Sequence, residues 1–196
     1  MGFWNDRKEF DTKRAYRWVA LFNMVEPYAI KSVSKPSFSI SETSHRFINH
    51  TYYYPGRVEW NTIDIVLVDP LKPDGTKTIM HIIEAAGYDP NILPNSAYKT
   101  MSKSKAVESL QKLEIQQLDA EGRQVEVWNL KHPWIKDVKF SDLSYDSDDL
   151  MNINLTIRFD WAECWTMNTP GPWKSTTIPG ASNFPSTANQ LNFPLG

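Results

Sequence analysis

At 196 residues the chain is long enough for one domain with a sizeable core. A net charge of −2 argues against a nucleic-acid binder that works by neutralising phosphates. The single cysteine, Cys164, cannot close an internal disulfide, which fits a reducing compartment. The opening MGFWNDRKEF lacks the apolar run of a secretory signal, and no stretch reaches the roughly eighteen consecutive apolar residues of a membrane helix.

In chain order, residues up to about Lys13 read as a polar arm with two apolar anchors, Phe3 and Trp4. Arg14–Met24 is rich in bulky residues and reads as a strand; after Glu26-Pro27 a second strand is expected over Tyr28–Val33, ended or placed at an edge by Pro36. Phe38–Ser41 and His45–Tyr54 are short β-prone runs separated by Glu42–Ser44, and Pro55-Gly56 is a turn signal. Val58–Asp69 reads as one central strand, because Ile63, Ile65 and Leu67 fill one face while Trp60, Val66 and Val68 supply the other. Ile79, Ile82, Ile83 and Ala86 follow helical spacing, with Gly87 as the C-cap, and this is the one helix expected. Tyr88–Ser104, with Pro90 and Pro94, reads as an exposed loop. Leu113–Leu118 and Gln124–Leu130 flank Asp119-Ala120-Glu121-Gly122 and read as a hairpin. Trp134 to Tyr145 is expected to be irregular to extended.

The most informative segment is DLMNINLTIRFDW, Asp149–Trp161. Met151, Ile153, Leu155, Ile157, Phe159 and Trp161 alternate with Asn152, Asn154, Thr156, Arg158 and Asp160, the signature of a strand with one apolar and one polar face. Burying such side chains contributes about 2 kcal/mol each, as an upper bound. The composition then changes: residues 166–196 hold five prolines, three glycines and the single charge of Lys174, which suits an extended or disordered segment but not a packed domain. Trp173, Ile178, Phe184, Leu191 and Phe193 are spaced along it as anchors for an arm lying on another surface.

Residues for chemistry are sparse. His45, His50, His81 and His132 have no metal-ligand spacing. The acidic run around Asp142, Asp146, Asp148 and Asp149 lacks the glycine and terminal glutamate of a calcium loop and reads as a solvated turn. Cys164 has no cationic neighbour in sequence to activate it, and no phosphate loop, dinucleotide fingerprint or nucleophile elbow occurs. Neither an enzyme nor a cofactor or metal site is expected. The run His50–Pro55 (HTYYYP) stands out instead: three successive tyrosines on a strand must point to both faces, so they suit an interface.

Several stretches together resemble the tail tube protein of contractile-tailed bacteriophages, a relative of the type VI secretion tube protein. They are two N-terminal strands, a hairpin centred on Ser41–Gly56, a strand from Trp60 to Val66, a helix, a hairpin ending in Leu130-Lys131-His132-Pro133-Trp134, the Leu143–Asp149 turn and a closing strand through Asn152–Glu163. The resemblance covers roughly Asp11–Glu163; the Tyr88–Ser104 loop and the tail from Cys164 depart from it and point to a specialised tube or baseplate-proximal component.

The resemblance implies a mainly β fold with one α-helix: an antiparallel sandwich or half-barrel over residues 14–165, with arms at 1–13 and 166–196. It implies homo-hexameric rings stacked into a hollow tube, inside sheath and on baseplate, located in a virion tail assembled in the host cytoplasm. DNA would pass through the bore without sequence-specific binding, and no membrane anchor is implied. Expected ring-stacking contacts are Phe47, Tyr52, Tyr53 and Tyr54; arm anchors are Phe3, Trp4, Trp173, Phe184 and Phe193; bore-lining positions are Asn152, Asn154, Thr156, Arg158 and Asp160. The competing expectation is an aromatic-rich β-sandwich that binds carbohydrate.

Overall fold

The computed structural model describes residues 12–22, 25–89 and 100–166. Two four-stranded antiparallel sheets and two helices enclose one core, and a long two-stranded hairpin stands apart from them. The first sheet has the order β1-β6-β7-β10, from Trp18–Phe22, Leu113–Leu118, Gln124–Lys131 and Trp161–Thr166. The second has the order β2-β5-β9-β8, from Ile30–Val33, Ile63–Val68, Asn152–Arg158 and Trp134–Phe140. The hairpin is β3 (Phe38–Phe47) with β4 (His50–Trp60).

The expected alternation over Asp149–Trp161 builds the centre of the second sheet. β9 pairs with β5 so that Ile63 faces Ile157, Ile65 faces Leu155 and Leu67 faces Ile153, and all six are at most 2% exposed. The apolar parity continues to Phe159, also buried, but not to Trp161. The chain leaves the sheet at Asp160, and Trp161 opens β10 on the far side of the core, 42% exposed. The first sheet contributes Ala20, Phe22, Leu113, Ile115 and Leu130 to the same core.

Helix α1 (Gly75–Ala85) starts where Asp74 accepts the Lys77 N–H at 2.9 Å. It buries Ile79 and Ile82 and ends with Ala86 as the C-cap, one residue before the expected Gly87, which follows at a φ of 111° that suits a residue without Cβ. A second helix, α2 (Lys103–Leu110), begins inside the span expected as loop, capped by Ser102 and anchored by Ala106 and Leu110. Residues 90–99 of that span lie outside the described residues. α2 packs between α1 and β8, so the fold remains mainly β with helices on one flank.

Other boundaries moved for local reasons. The first strand is shorter than Arg14–Met24, and the second is preceded by a 3-10 turn at Pro27–Ala29, where proline favours the turn over a ladder. Val58–Asp69 divides after Trp60 into a hairpin strand and a core strand. Leu130–Trp134 is a crossover: β7 and β8 belong to different sheets, joined at His132 with φ 53°.

Truncating one member of the central rows leaves a cavity that a close-packed sandwich cannot refill. Leu155→Ala is expected to lower unfolding stability by about 2–5 kcal/mol, read as a shift in the urea midpoint. A change within experimental error would mean that the β5–β9 row does not organise the core.

Candidate assembly interface

The β3–β4 hairpin is the most unusual part of the molecule. Its strands are ten and eleven residues long, so it reaches about 33 Å. Every residue in it is exposed except Trp60. The expected break at Glu42–Ser44 is absent, and Pro55-Gly56 is not the turn. The chain reverses at Ile48-Asn49, with Ile48 at φ 52°, and Pro55-Gly56 lies within β4 at a bulge. Ser41 pins that bulge: its Oγ accepts the Arg57 N–H at 2.9 Å, and a Cβ on Gly56 would sit 2.3 Å from the same oxygen.

Register separates the three tyrosines. Phe47 faces His50, His45 faces Tyr52 and Thr43 faces Tyr54, which puts Phe47, Tyr52 and Tyr54 on one face. Tyr53 faces Ser44 on the reverse, between Arg46–Thr51 and Glu42–Pro55. These four rings are 50–65% exposed, so the structure brings three of the expected stacking residues together and sets Tyr53 behind them. At the base, Phe38 lies edge-on to Trp60 with centroids 5.1 Å apart, and Trp60 lies 5.7 Å from the buried Phe159 ring. The hairpin is thus fastened to the core by one aromatic column. A two-stranded ribbon with no covering layer is marginal in water, and this one carries exposed Phe38, Ile40, Phe47, Ile48 and Val58.

The polar face of the second sheet holds the expected bore-lining residues Asn152, Asn154, Thr156 and Arg158, opposite the core rows. Thr156 donates to Asp64 Oδ1 at 2.8 Å, Asn154 stands between Val66 and Lys139, and Asp137 faces Thr156. Asp64, Asp137, Lys139 and Arg158 give this surface both signs of charge. Asp160 does not share that surface. It accepts from Lys103 of α2 at 2.7 Å and lies 2.9 Å from His132 Nδ1, latching the corner between the sheets. The Lys103 hydrogen bond, opposed by slight burial and helped by the His132 ring, holds the Asp160 carboxyl below the usual carboxylate range.

A second cluster closes one end of the sandwich. Glu126, 8% exposed, accepts from Lys13, Lys35 and the Trp128 indole N–H, while Gln117 donates to the Arg14 and Arg17 carbonyls at 2.7 Å. Burial alone would raise the Glu126 pKa, but those three donors and the Lys35 charge bring it down to about 2. The chain before β1 and the linker before the hairpin are therefore tied to one carboxylate. Nothing in the sequence spacing signals this, because the partners lie 113 and 91 residues away. Among the described residues no group of three or more His, Cys, Asp or Glu could hold a metal ion. Burial, then the Glu126 charge, pushes the Cys164 thiol up, away from nucleophilic use. The arm anchors Phe3, Trp4, Trp173, Phe184 and Phe193 lie outside the described residues.

Because folding lowers the Glu126 pKa from 4.5 to about 2, its contribution is fully present above the unfolded value and is lost as pH falls through the folded one. The stability gap between the native chain and Glu126→Gln is expected to be widest above pH 4.5 and to narrow toward pH 2, as read by urea titrations across that range. A gap independent of pH would refute the clasp.

The chain matches no family model and no curated protein sequence. Its fold does match solved structures. A chain of the anti-feeding prophage baseplate, whose structure was 6-fold symmetrised, is 12% identical with a TM-score of 0.58, covering 81% of this chain and 99% of that one. A chain of the sheath-tube complex of an extracellular contractile injection system is 15% identical with a TM-score of 0.56, covering 81% and 94%. A chain of the anti-feeding prophage tube-terminating cap is 12% identical with a TM-score of 0.53, covering 85% and 99%. The two sheets, the helical flank and the projecting hairpin together form the tail-tube-related fold of contractile injection systems.

Proposed function

We propose that this protein is a structural subunit of a contractile tail tube or of its baseplate-proximal or capping end. Six copies form a ring, and rings stack into a hollow tube within a sheath. The observation that carries this reading is the bare β3–β4 hairpin, which exposes aromatic residues on both faces and is too thin to be stable alone. In the assembly its Phe47, Tyr52 and Tyr54 face packs on the neighbouring ring, and Tyr53 with Arg46 meets a second surface.

The four strand edges, β1 and β10 in one sheet and β2 and β8 in the other, offer unpaired backbone groups. Side-by-side pairing of subunits closes such edges and removes the aggregation risk. The polar face around Asn154, Thr156 and Arg158, with charges of both signs, suits a water-filled bore through which DNA slides without sticking. The sheath-tube, baseplate and cap contexts of the structural neighbours support assembly with tail components, and the 6-fold symmetry of one supports the ring.

Electron microscopy of the purified protein over a concentration series tests the reading. Rings or tubes with a central channel are expected, and a glycan-binding monomer at every concentration, with and without baseplate components, would overturn it. The pair Phe47→Ala with Tyr54→Ala is expected to abolish stacking while leaving the urea midpoint of the sandwich unchanged. Tubes of normal length and yield from that variant would remove the hairpin from the interface. Gly56→Ala is expected to give the same assembly defect, because the added methyl displaces Ser41 and re-aims the hairpin.

A further inference from the structure

The edges β1 and β2 come together at an open groove of about 470 Å³ between the sheets, lined by Tyr16, Trp18, Val19, Pro27, Tyr28 and Lys31. Tyr16 and Tyr28 are 74% and 70% exposed, Arg17 lies over the Tyr16 ring, and buried Ile30 closes the floor. Exposed aromatic side chains lining a shallow channel, with a cation at the side, are what a proline-rich segment needs. Pyrrolidine rings stack on aromatic faces, and the bare carbonyls of an extended backbone accept from side chains at the rim.

The chain itself carries such a segment. Residues 167–196 contain Pro170, Pro172, Pro179, Pro185 and Pro194 with Trp173, Phe184 and Phe193, and only Lys174 is charged. The place where that segment leaves the fold is also suitable. Thr166 faces Glu126, Glu126 faces Gln117 and Gln117 faces Trp18, so the last residue of β10 and the groove's tryptophan lie on one row at the same end of the sheet. Three strand spacings separate them, about 14 Å, a distance that about five extended residues cover. Pro170-Gly171-Pro172-Trp173 falls at that reach.

We infer that residues from Pro170 onward fold back over the rim and dock in the Tyr16–Trp18–Tyr28 groove of their own chain as a polyproline strap. The inference does not depend on the tube reading. The N-terminal stretch 1–11 is a poorer occupant: it has no proline to stack on the aromatic side chains.

The test places the photo-reactive residue p-benzoylphenylalanine at position 28, and separately at position 16, in the full-length chain. Unlabelled and 15N-labelled protein are mixed before irradiation, and the cross-linked peptides are mapped by mass spectrometry. Cross-links from position 28 to a peptide within 167–196, joining only like-labelled partners, are the expected result. Mixed-label pairs would assign the groove to a neighbouring copy and overturn the inference. So would capture of residues 1–11, or no capture of 167–196 from either position. In the variant Pro170→Gly with Pro172→Gly, the cross-link is expected to be lost while the urea midpoint holds. Its persistence at native yield would show that proline recognition is not what seats the strap.

Discussion

The pairing of β5 with β9 is the constraint from which the rest follows. Ile63–Ile157, Ile65–Leu155 and Leu67–Ile153 occupy one face of two neighbouring strands, and a shift of one residue would turn all six toward water. Register is therefore set by burial, without help from a tight turn, since 83 residues lie between the end of β5 at Val68 and the start of β9 at Asn152. With that row in place, Asp64, Asn154, Thr156 and Arg158 must face outward, and Phe159 must end the row at the point where the chain crosses to the other sheet. The helices then cover the flank beside β8 that a four-stranded sheet cannot cover by itself.

What could be read from the residues follows from how local each signal is. The alternation from Ile153 to Phe159, the two strands of the 113–130 hairpin and the Ile79–Ala86 stripe carry their signals locally, and the structure reproduces them. Pro55-Gly56 misled because the pair bends a chain in more than one way. Opposite Ser41 it makes a bulge, and only the partner strand decides that. Helix α2 was hidden for a similar reason. Its eight residues are mostly polar, and its two buried contacts, Ala106 and Leu110, matter only once α1 and β8 are beside them. At Trp161 the alternation in sequence ran on across the bend at Asp160, so two strands of different sheets looked like one.

The candidate interface divides along the same line. That three consecutive tyrosines must use both faces of a strand was legible from geometry alone, whereas the grouping of Tyr52 and Tyr54 with Phe47 needed the register of the partner strand. The Glu126 cluster had no local signature at all. Its donors come from the segment before β1 and from the linker before β3, so one buried carboxylate fixes where both the N-terminal segment and the hairpin leave the domain.

The column Phe38–Trp60–Phe159 gives the hairpin a mechanical character. Pulled along its length, the ribbon carries the tension in both covalently continuous strands and passes it at the base through the edge-on and tilted rings into the buried row. Pushed sideways at the tip, the thin ribbon bends, and the bulge held by Ser41 lies between the free Phe47–His50 end and the three pairs at its base. The arm is therefore stiff against axial force and compliant against bending. Such a connector can pass force into the core while still following the curvature of whatever it is fastened to.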